Sequence, residues 1–268
     1  MESGLHPRSA PAGDNGGGGR RWRRWAVDVG MATALVGALS GPALARGVYQ
    51  LSVDAGTPAR GTCRHCGQPL PRGGVRFLLW TGRCGYCRTL LGPRVWLVAI
   101  VAAIGTFAVG HRLGNDPVLL AYLAFALGCV LLAFIDIAVR RLPDQLTAPL
   151  AAFGVVGLGT ASYLARDATP LLRGLIGAAL AGGLFLALAW IRPDGEGMGL
   201  GDAKLAGVLG LYLGWLGWAD LTLGILAGST AATVFALSML RTGRLTRRSA
   251  ITYGPFLVLG AVLAVLVG

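Results

Sequence analysis

Charged residues are scarce in this chain of 268 residues, since Asp, Glu, Lys and Arg together make up only 13% of it. A soluble globular chain carries about 25% charged residues. Apolar residues make up 54%, and the mean hydropathy is +0.63. This balance argues against a soluble globular protein and is typical of a polytopic membrane protein.

Lysine is almost absent, because only Lys204 among the 24 basic residues is a lysine. The net charge of +12 on a soluble chain would suggest a nucleic-acid partner. On a membrane chain, basic residues in cytoplasmic loops orient the helices, which explains the charge better. A tethered nucleic-acid module would need exposed aromatic residues among its basic ones, and Trp80 and Tyr86 are too few. We therefore expect contact with membrane lipid and no nucleic-acid partner.

Eight apolar runs long enough to approach a membrane span follow one another along the chain, and no internal repeat is present. They predict an all-α, polytopic integral membrane protein with about eight transmembrane helices. The runs are Trp25–Ala45, Val95–Gly110, Pro117–Val139, Leu146–Ala165, Leu172–Ile191, Ala203–Trp218, Leu221–Leu240 and Ile251–Val267.

The basic residues predict the orientation of these helices. If all eight runs span and the amino terminus lies outside, sixteen basic residues fall inside and only Arg112, Arg166 and Arg173 occupy the outer loops. The five arginines of the tail are the exception. We expect a disordered basic tail (1–24), a first apolar segment (25–45), a cytoplasmic loop (46–94) and a membrane core (95–268). The tail and first run also resemble a secretory signal ending in PALA, which fits poorly with the thiol-rich segment that follows.

Four of the five cysteines form two CxxC pairs, Cys63/Cys66 and Cys84/Cys87, separated by 17 residues. This spacing is typical of a zinc ribbon, in which each pair places two thiolates on one side of a tetrahedral ion. Gly67 and Gly85 are expected to permit the tight turns. Two disulfides are the alternative, but they require an oxidising compartment, whereas this loop is predicted to lie inside. We therefore predict a structural zinc site.

Acidic residues near membrane helices are unfavourable and tend to be functional. Asp136 ends the third run in LLAFIDIAVRRLPDQLT, where no local structural role accounts for it. Asp144 follows Pro143 in the same segment and is expected to cap the next helix. Asp116, Asp167 and Asp220 fall in outer turns, where solvated charge explains them.

Asp202 lies in the glycine-rich stretch GMGLGDAKL, at the same predicted membrane face as Asp136. A helix cap is one interpretation of Asp202. The other is a pair of carboxylates in aspartyl proteolysis, in which one ionised group activates water and a protonated one donates to the scissile carbonyl. Gly199 and Gly201 would let a substrate backbone approach. Lys204 would lie near the site or extend to the interface.

These segments resemble the type IV prepilin peptidases, a bacterial family of GxGD membrane aspartyl proteases. The resemblance covers about Cys63 to the carboxy terminus. It rests on the two CxxC pairs, FIDIAVRRLPDQLT at 134–147, GMGLGDAKL at 197–205 and, more weakly, YGPFLVLGA at 253–261. The segment GPALARGVYQLSVDAG departs from the pattern that usually precedes the cysteines in this family.

The resemblance implies a multi-pass protein of the bacterial inner membrane that cleaves the basic leader from prepilins or pseudopilins at the cytoplasmic face. It makes Asp136 and Asp202 the catalytic residues. Many members also methylate the new amino terminus with S-adenosylmethionine. A presenilin-like intramembrane protease is the nearest alternative, and the cysteine loop and the LPD element argue against it. A small ion-coupled transporter would use the aspartates as ligands, but such transporters often carry paired repeats.

Overall fold

The computed structural model describes residues 18–53, 56–70, 81–191, 199–242 and 252–268, and these form an all-α structure. Its helices, in chain order, are α1 (Gly18–Leu51), α2 (Val95–Leu113), α3 (Leu119–Val139), α4 (Asp144–Ala165), α5 (Thr169–Ile191), α6 (Leu200–Leu216), α7 (Trp218–Arg241) and α8 (Gly254–Val267). Extended pairing in the described residues is limited to two isolated bridges, Thr62 with Pro69 and Arg83 with Leu90. The predicted fold class is confirmed, and each of the eight apolar runs corresponds to one helix.

Six helices are long and apolar enough to cross a membrane, namely α2–α5, α7 and the part of α1 from Trp25 to Leu51. The other two, α6 with 17 residues and α8 with 14, are shorter. Eleven residues of α6 are buried, against five of the 23 in α5, so α6 lies inside the bundle. An enclosed helix meets other helices rather than lipid, and its length is therefore less constrained by the bilayer.

The first helix packs antiparallel against α2. Gly37 of α1 faces Ala102 and Thr106, and Gly41 faces Ala99 one turn further, with no room for a Cβ at either glycine. Small residues let two helices approach closely in lipid. The helix begins at Gly18, seven residues before the predicted apolar segment, and continues to Leu51, so the cysteine-containing loop begins at Ser52. Residues 1–17 of the predicted tail lie outside the described residues.

Aromatic residues in the core hold α3 and α6 together. The hydroxyl of Tyr122 donates a hydrogen bond to the backbone oxygen of Tyr212 at 2.6 Å, and Phe125 stacks on the Tyr212 ring with centroids 4.1 Å apart. The Tyr212 hydroxyl donates to the carbonyl of Leu150 in α4 at 3.3 Å. These contacts fix the relative positions of the helices that carry Asp136 and Asp202.

Polar contacts also join helices at the opposite end of the bundle. The Arg173 guanidinium donates hydrogen bonds to the backbone oxygens of Gly214, Trp215 and Leu216, the last residues of α6. These carbonyls have no partner within their own helix, so Arg173 satisfies them. Asp220 lies at this end too, 3.6 Å from Arg112, with only 6% of its surface exposed. The prediction of a solvated charge was therefore wrong for Asp220, because a partner on a distant helix permits its burial.

Candidate active site and metal centre

Asp136 lies in the last turn of α3 and is buried. The helix ends at Arg140, which adopts a left-handed conformation (φ 52°) and donates its N–H to the Asp136 backbone oxygen at 2.8 Å. The chain then turns through an extended Pro143 into α4. The Asp136 carboxylate accepts a hydrogen bond through Oδ2 from the backbone N–H of Gly254, at 3.1 Å.

Asp202 is the third residue of α6 and is also buried. Its Oδ2 accepts a hydrogen bond from the N–H of Gly199, the extended residue that precedes the helix, at 3.2 Å. A carboxylate in a first helical turn satisfies an otherwise unbonded amide in this way. The N-cap position belongs to Gly199, so the interpretation of Asp202 as a plain helix cap was wrong, although its carboxylate does bond the N-cap amide from inside the helix.

The two aspartates lie at the same end of the bundle, as predicted. Their carboxylates are close enough for their charges to interact. The segments that carry them also touch, because a Cβ at Gly201 would lie 3.1 Å from the Cβ of Leu142. Helix α8 contacts both α3 and α6. Asp136 and Asp202 are therefore brought together from positions 66 residues apart.

Gly199 and Gly201 have different surroundings. Among the described residues, a Cβ on Gly199 would meet only the Gly201 nitrogen at 3.8 Å and the Asp202 Oδ2 at 3.9 Å. Both are ordinary van der Waals distances, so no described residue crowds the backbone of Gly199. Gly201 faces Leu142 closely, and its missing side chain lets the two aspartate-bearing segments approach each other.

Lys204 forms an ion pair with Asp144, with Nζ 2.5 Å from Oδ1. Among the described residues its partner is therefore Asp144 and neither Asp136 nor Asp202. The expected capping role of Asp144 was wrong, because α4 is preceded by Pro143 and Asp144 is already its first helical residue. A negative charge in the first turn is still favourable there.

The four cysteines of the two CxxC pairs meet, as their spacing predicts. Their Sγ atoms all lie within 4.8 Å of one another, with Cys63 3.7 Å from Cys87 and Cys66 3.6 Å from Cys84. Four ligands around a tetrahedral zinc with Zn–S bonds of about 2.3 Å are about 3.8 Å apart, so the quartet fits this ion. All five cysteines are unbridged. A four-thiolate set leaves no open position for substrate, so such an ion is structural.

The two CxxC loops repeat one backbone pattern. The N–H of Gly67 donates to the Cys63 oxygen at 2.9 Å, and that of Arg88 donates to the Cys84 oxygen at 3.0 Å. Both donors are left-handed, with φ 72° and 56°. The prediction for the second turn was therefore wrong: its left-handed residue is Arg88 and not Gly85. The hydroxyl of Thr89, and to a lesser extent its backbone N–H, bond Cys87 and lower the pKa of its thiol to about 6. The lowered pKa favours the thiolate, which is the form of cysteine that binds metal ions.

The cysteine quartet, a candidate metal centre, is attached to the helices of the bundle through Tyr49, near the end of α1. The Tyr49 hydroxyl donates to the oxygen of Thr62 and accepts from the N–H of Arg64, both at 3.0 Å. Cys63 and Cys84 pack into an apolar cluster that also contains Val98 of α2 and Val130 of α3. The centre therefore lies at the same end of the bundle as Asp136.

Gly254 is the site feature that sequence reasoning missed. Its block, YGPFLVLGA, shows a glycine followed by a proline at a helix start, which local patterns explain without any functional contact. The hydrogen bond to Asp136 joins residues 118 positions apart. No local spacing could have indicated it.

Comparisons with known proteins point to one family. The model of the type IV leader peptidase family matches residues 123–237, a stretch that contains Asp136 and Asp202. A prepilin leader peptidase/N-methyltransferase of Burkholderia pseudomallei strain K96243 is 34% identical over 234 residues, which cover 80% of this chain and 72% of the relative. Proteins of the same name from Aeromonas salmonicida strain A449 and Pseudomonas aeruginosa are 32% and 29% identical, covering 78% and 72% of this chain and 72% and 65% of theirs. No solved structure matches significantly.

Proposed function

The chain belongs to the type IV leader peptidase family, and we propose that it is a membrane aspartyl endopeptidase that removes the basic leader from type IV prepilins or pseudopilins. The observation that carries this proposal is the pair of buried carboxylates, Asp136 and Asp202, at one end of the bundle. They come from different helices, and each is held by one backbone amide.

The proposed chemistry is general acid–base catalysis by this pair. The ionised carboxylate takes a proton from water as the water attacks the scissile carbonyl carbon, and the protonated carboxylate donates a proton towards the carbonyl oxygen. Two close carboxylates favour a state in which they share one proton, so the pair acts as one titrating unit. The backbone of Gly199, beside Asp202, is not crowded by any described residue, which supports access for an extended peptide.

We further propose that the aspartate end of the bundle faces the cytoplasm. The metal centre and the basic residues Arg140 and Arg141 lie at this end, which agrees with the excess of positive charge in cytoplasmic loops. Thiol ligands also remain reduced in that compartment. The membrane is accordingly the bacterial inner membrane, and the leader is cut on its cytoplasmic side.

Methylation of the new amino terminus is a second proposed activity. The relatives are named as N-methyltransferases as well as leader peptidases. S-adenosylmethionine would supply the methyl group. Zinc would be held by Cys63, Cys66, Cys84 and Cys87 and would stabilise the loop without taking part in either reaction.

Cleavage of a prepilin by the full-length protein in lipid nanodiscs tests the peptidase proposal. Asp136→Asn and Asp202→Asn should each slow cleavage by at least about a hundredfold, which is the usual contribution of a general acid or base. Asp116→Asn is the matched control, because Asp116 lies at the opposite end of the bundle, where its carboxylate bonds the amide of the nearby Val118. A mass increase of one methyl group on the product, after addition of S-adenosylmethionine, would support methylation.

Each outcome separates the alternatives. A wild-type protein that leaves the precursor intact would contradict the prepilin peptidase and favour a different substrate or a transporter. Cleavage at the wild-type rate by either Asp→Asn variant would show that the two-aspartate mechanism is wrong. A cut inside the apolar helix, instead of before it, would favour an intramembrane protease.

A further inference from the structure

The amino end of α8 directs one backbone donor at Asp136. The first four N–H groups of a helix have no partner inside it. In α8, Pro255 has no N–H, and those of Phe256 and Leu257 are directed to the oxygen of Tyr253 at 3.1 and 3.2 Å. The N–H of Gly254 is directed instead to Oδ2 of Asp136. This end of α8 therefore offers Asp136 a single donor.

Gly254 also packs against the carboxylate that it binds. A Cβ built on Gly254 would lie 2.7 Å from Oδ2 of Asp136 and 3.2 Å from its Cγ. The backbone of Gly254 is not left-handed, so its conformation does not require glycine. What requires glycine at this position is the contact with the Asp136 carboxylate.

The two aspartates differ in the origin of their donors. Asp202 receives its hydrogen bond from Gly199, three residues away, so its carboxylate is held by its own segment of the chain. Asp136 receives its hydrogen bond from another helix. That helix is anchored by Leu257, which is fully buried, and by close contact of Gly260 with Gly228 of α7. The orientation of the Asp136 carboxylate therefore depends on the position of α8.

We propose that Gly254 is a positioning residue for Asp136: its N–H holds one carboxylate oxygen, and its missing side chain lets the carboxylate sit where the reaction needs it. The proposal rests on the proposed peptidase function. A carboxylate displaced by even about 1 Å loses much of its catalytic effect.

The first test is the kinetics of Gly254→Ala in the full-length protein in nanodiscs. The kcat for prepilin cleavage should fall at least about tenfold, because the added methyl group displaces the carboxylate. The KM should stay within about twofold, because the substrate-facing backbone at Gly199 is untouched. Gly183→Ala is the matched control: it is also a helical Gly→Ala change, but a Cβ there would have no neighbour within 4 Å among the described residues. It should keep wild-type kinetics.

The second test is a double-mutant cycle read by thermal unfolding, which needs no activity. Gly254→Ala should lower the unfolding temperature when Asp136 is present and leave it unchanged in an Asp136→Ala background, where the clash is gone. Should Gly254→Ala alone fail to fold, the Gly254→Ala/Asp136→Ala double variant should fold as Asp136→Ala does.

The outcomes distinguish this inference from the proposed function. If the wild type cleaves and Gly254→Ala cleaves as fast as Gly183→Ala, the positioning role is overturned and the peptidase remains. A raised KM with unchanged kcat, or equal effects of Gly254→Ala with and without Asp136, also overturns it. If the wild type does not cleave at all, the peptidase proposal fails, and the unfolding cycle still decides whether Gly254 supports Asp136.

Discussion

Lys204 and Asp144 join the second turn of α6 to the first turn of α4 through an ion pair of 2.5 Å. The single lysine of the chain thus links the segment that carries Asp202 to the segment that follows Asp136. Both side chains are exposed, by 49% and 68%, and exposed pairs contribute about 0–1 kcal/mol to stability. The pair therefore matters more for the relative position of the two segments than for the free energy of unfolding.

Removal of this ion pair is expected to slow cleavage modestly. Lys204→Met and Asp144→Asn should each reduce kcat on the order of twofold, and the double variant should be no slower, because both remove the same contact. Lys204→Arg keeps a positive charge that can bond the carboxylate and should cleave almost normally. Steady-state kinetics on a prepilin measures all four variants. Additive losses, or an arginine variant as slow as the methionine one, would instead favour direct contact of Lys204 with substrate.

The cysteine quartet is expected to hold one zinc ion per chain. Elemental analysis of the purified full-length protein measures it. Cys63→Ser and Cys84→Ser each remove a ligand and should lose the zinc, whereas Cys129→Ser should keep it, because Cys129 is buried in α3 outside the quartet. Retention of stoichiometric zinc by the Cys63 and Cys84 variants would contradict the site.

Tyr49 is expected to hold the metal centre against α1. Tyr49→Phe removes the hydroxyl that bonds the backbones of Thr62 and Arg64, and each lost hydrogen bond is worth about 0.5–1.5 kcal/mol, because water can replace the hydroxyl at these two exposed residues. Limited proteolysis of the zinc-loaded protein should then cut the 52–94 loop faster, with the membrane helices unaffected. Tyr86→Phe is the control, since Tyr86 is 70% exposed. If the protease cuts Tyr49→Phe no faster than Tyr86→Phe, the hydrogen bonds of the Tyr49 hydroxyl are not needed to hold the loop against α1.

Much of this architecture could be predicted from local patterns. Hydropathy identified eight apolar runs, and each one corresponds to a helix, because a helix in lipid needs a continuous apolar surface. The CxxC spacing identified the four thiols that meet, since two residues between cysteines suffice to bring both to one ion. The extension of α1 through Arg46 to Leu51 was missed, because packing against the metal centre supports it there.

Contacts between distant segments account for most of what could not be predicted. The burial of Asp220 depends on Arg112, and the support of Asp136 depends on Gly254, both far away in the chain. Periodicity and motif spacing carry no information on such pairs. The partner of Lys204 was missed for the same reason, as Asp144 had a sufficient local explanation in the start of α4.

The sequence predicts that Gly199 and Gly201 both serve the approach of substrate. Their surroundings differ, however, so we expect Gly199→Ala and Gly201→Ala to have different effects. A Cβ at Gly199 fits the structure, so Gly199→Ala should leave the unfolding temperature unchanged. If a substrate strand passes over this backbone, the methyl group will obstruct it, and KM should rise with little change in kcat.

Gly201→Ala should act in the opposite way. Its Cβ would lie 3.1 Å from the Cβ of Leu142, so the segments carrying Asp136 and Asp202 must separate by a few tenths of an ångström. Because catalysis depends on their relative position, kcat should fall by roughly tenfold while KM changes little. Prepilin cleavage by both variants, measured over a range of substrate concentrations, decides between the two roles. If both variants have a raised KM, Gly201 serves the approach of substrate, as the sequence predicts. If Gly201→Ala has unchanged kinetics, the spacing of the two aspartates tolerates the added methyl group.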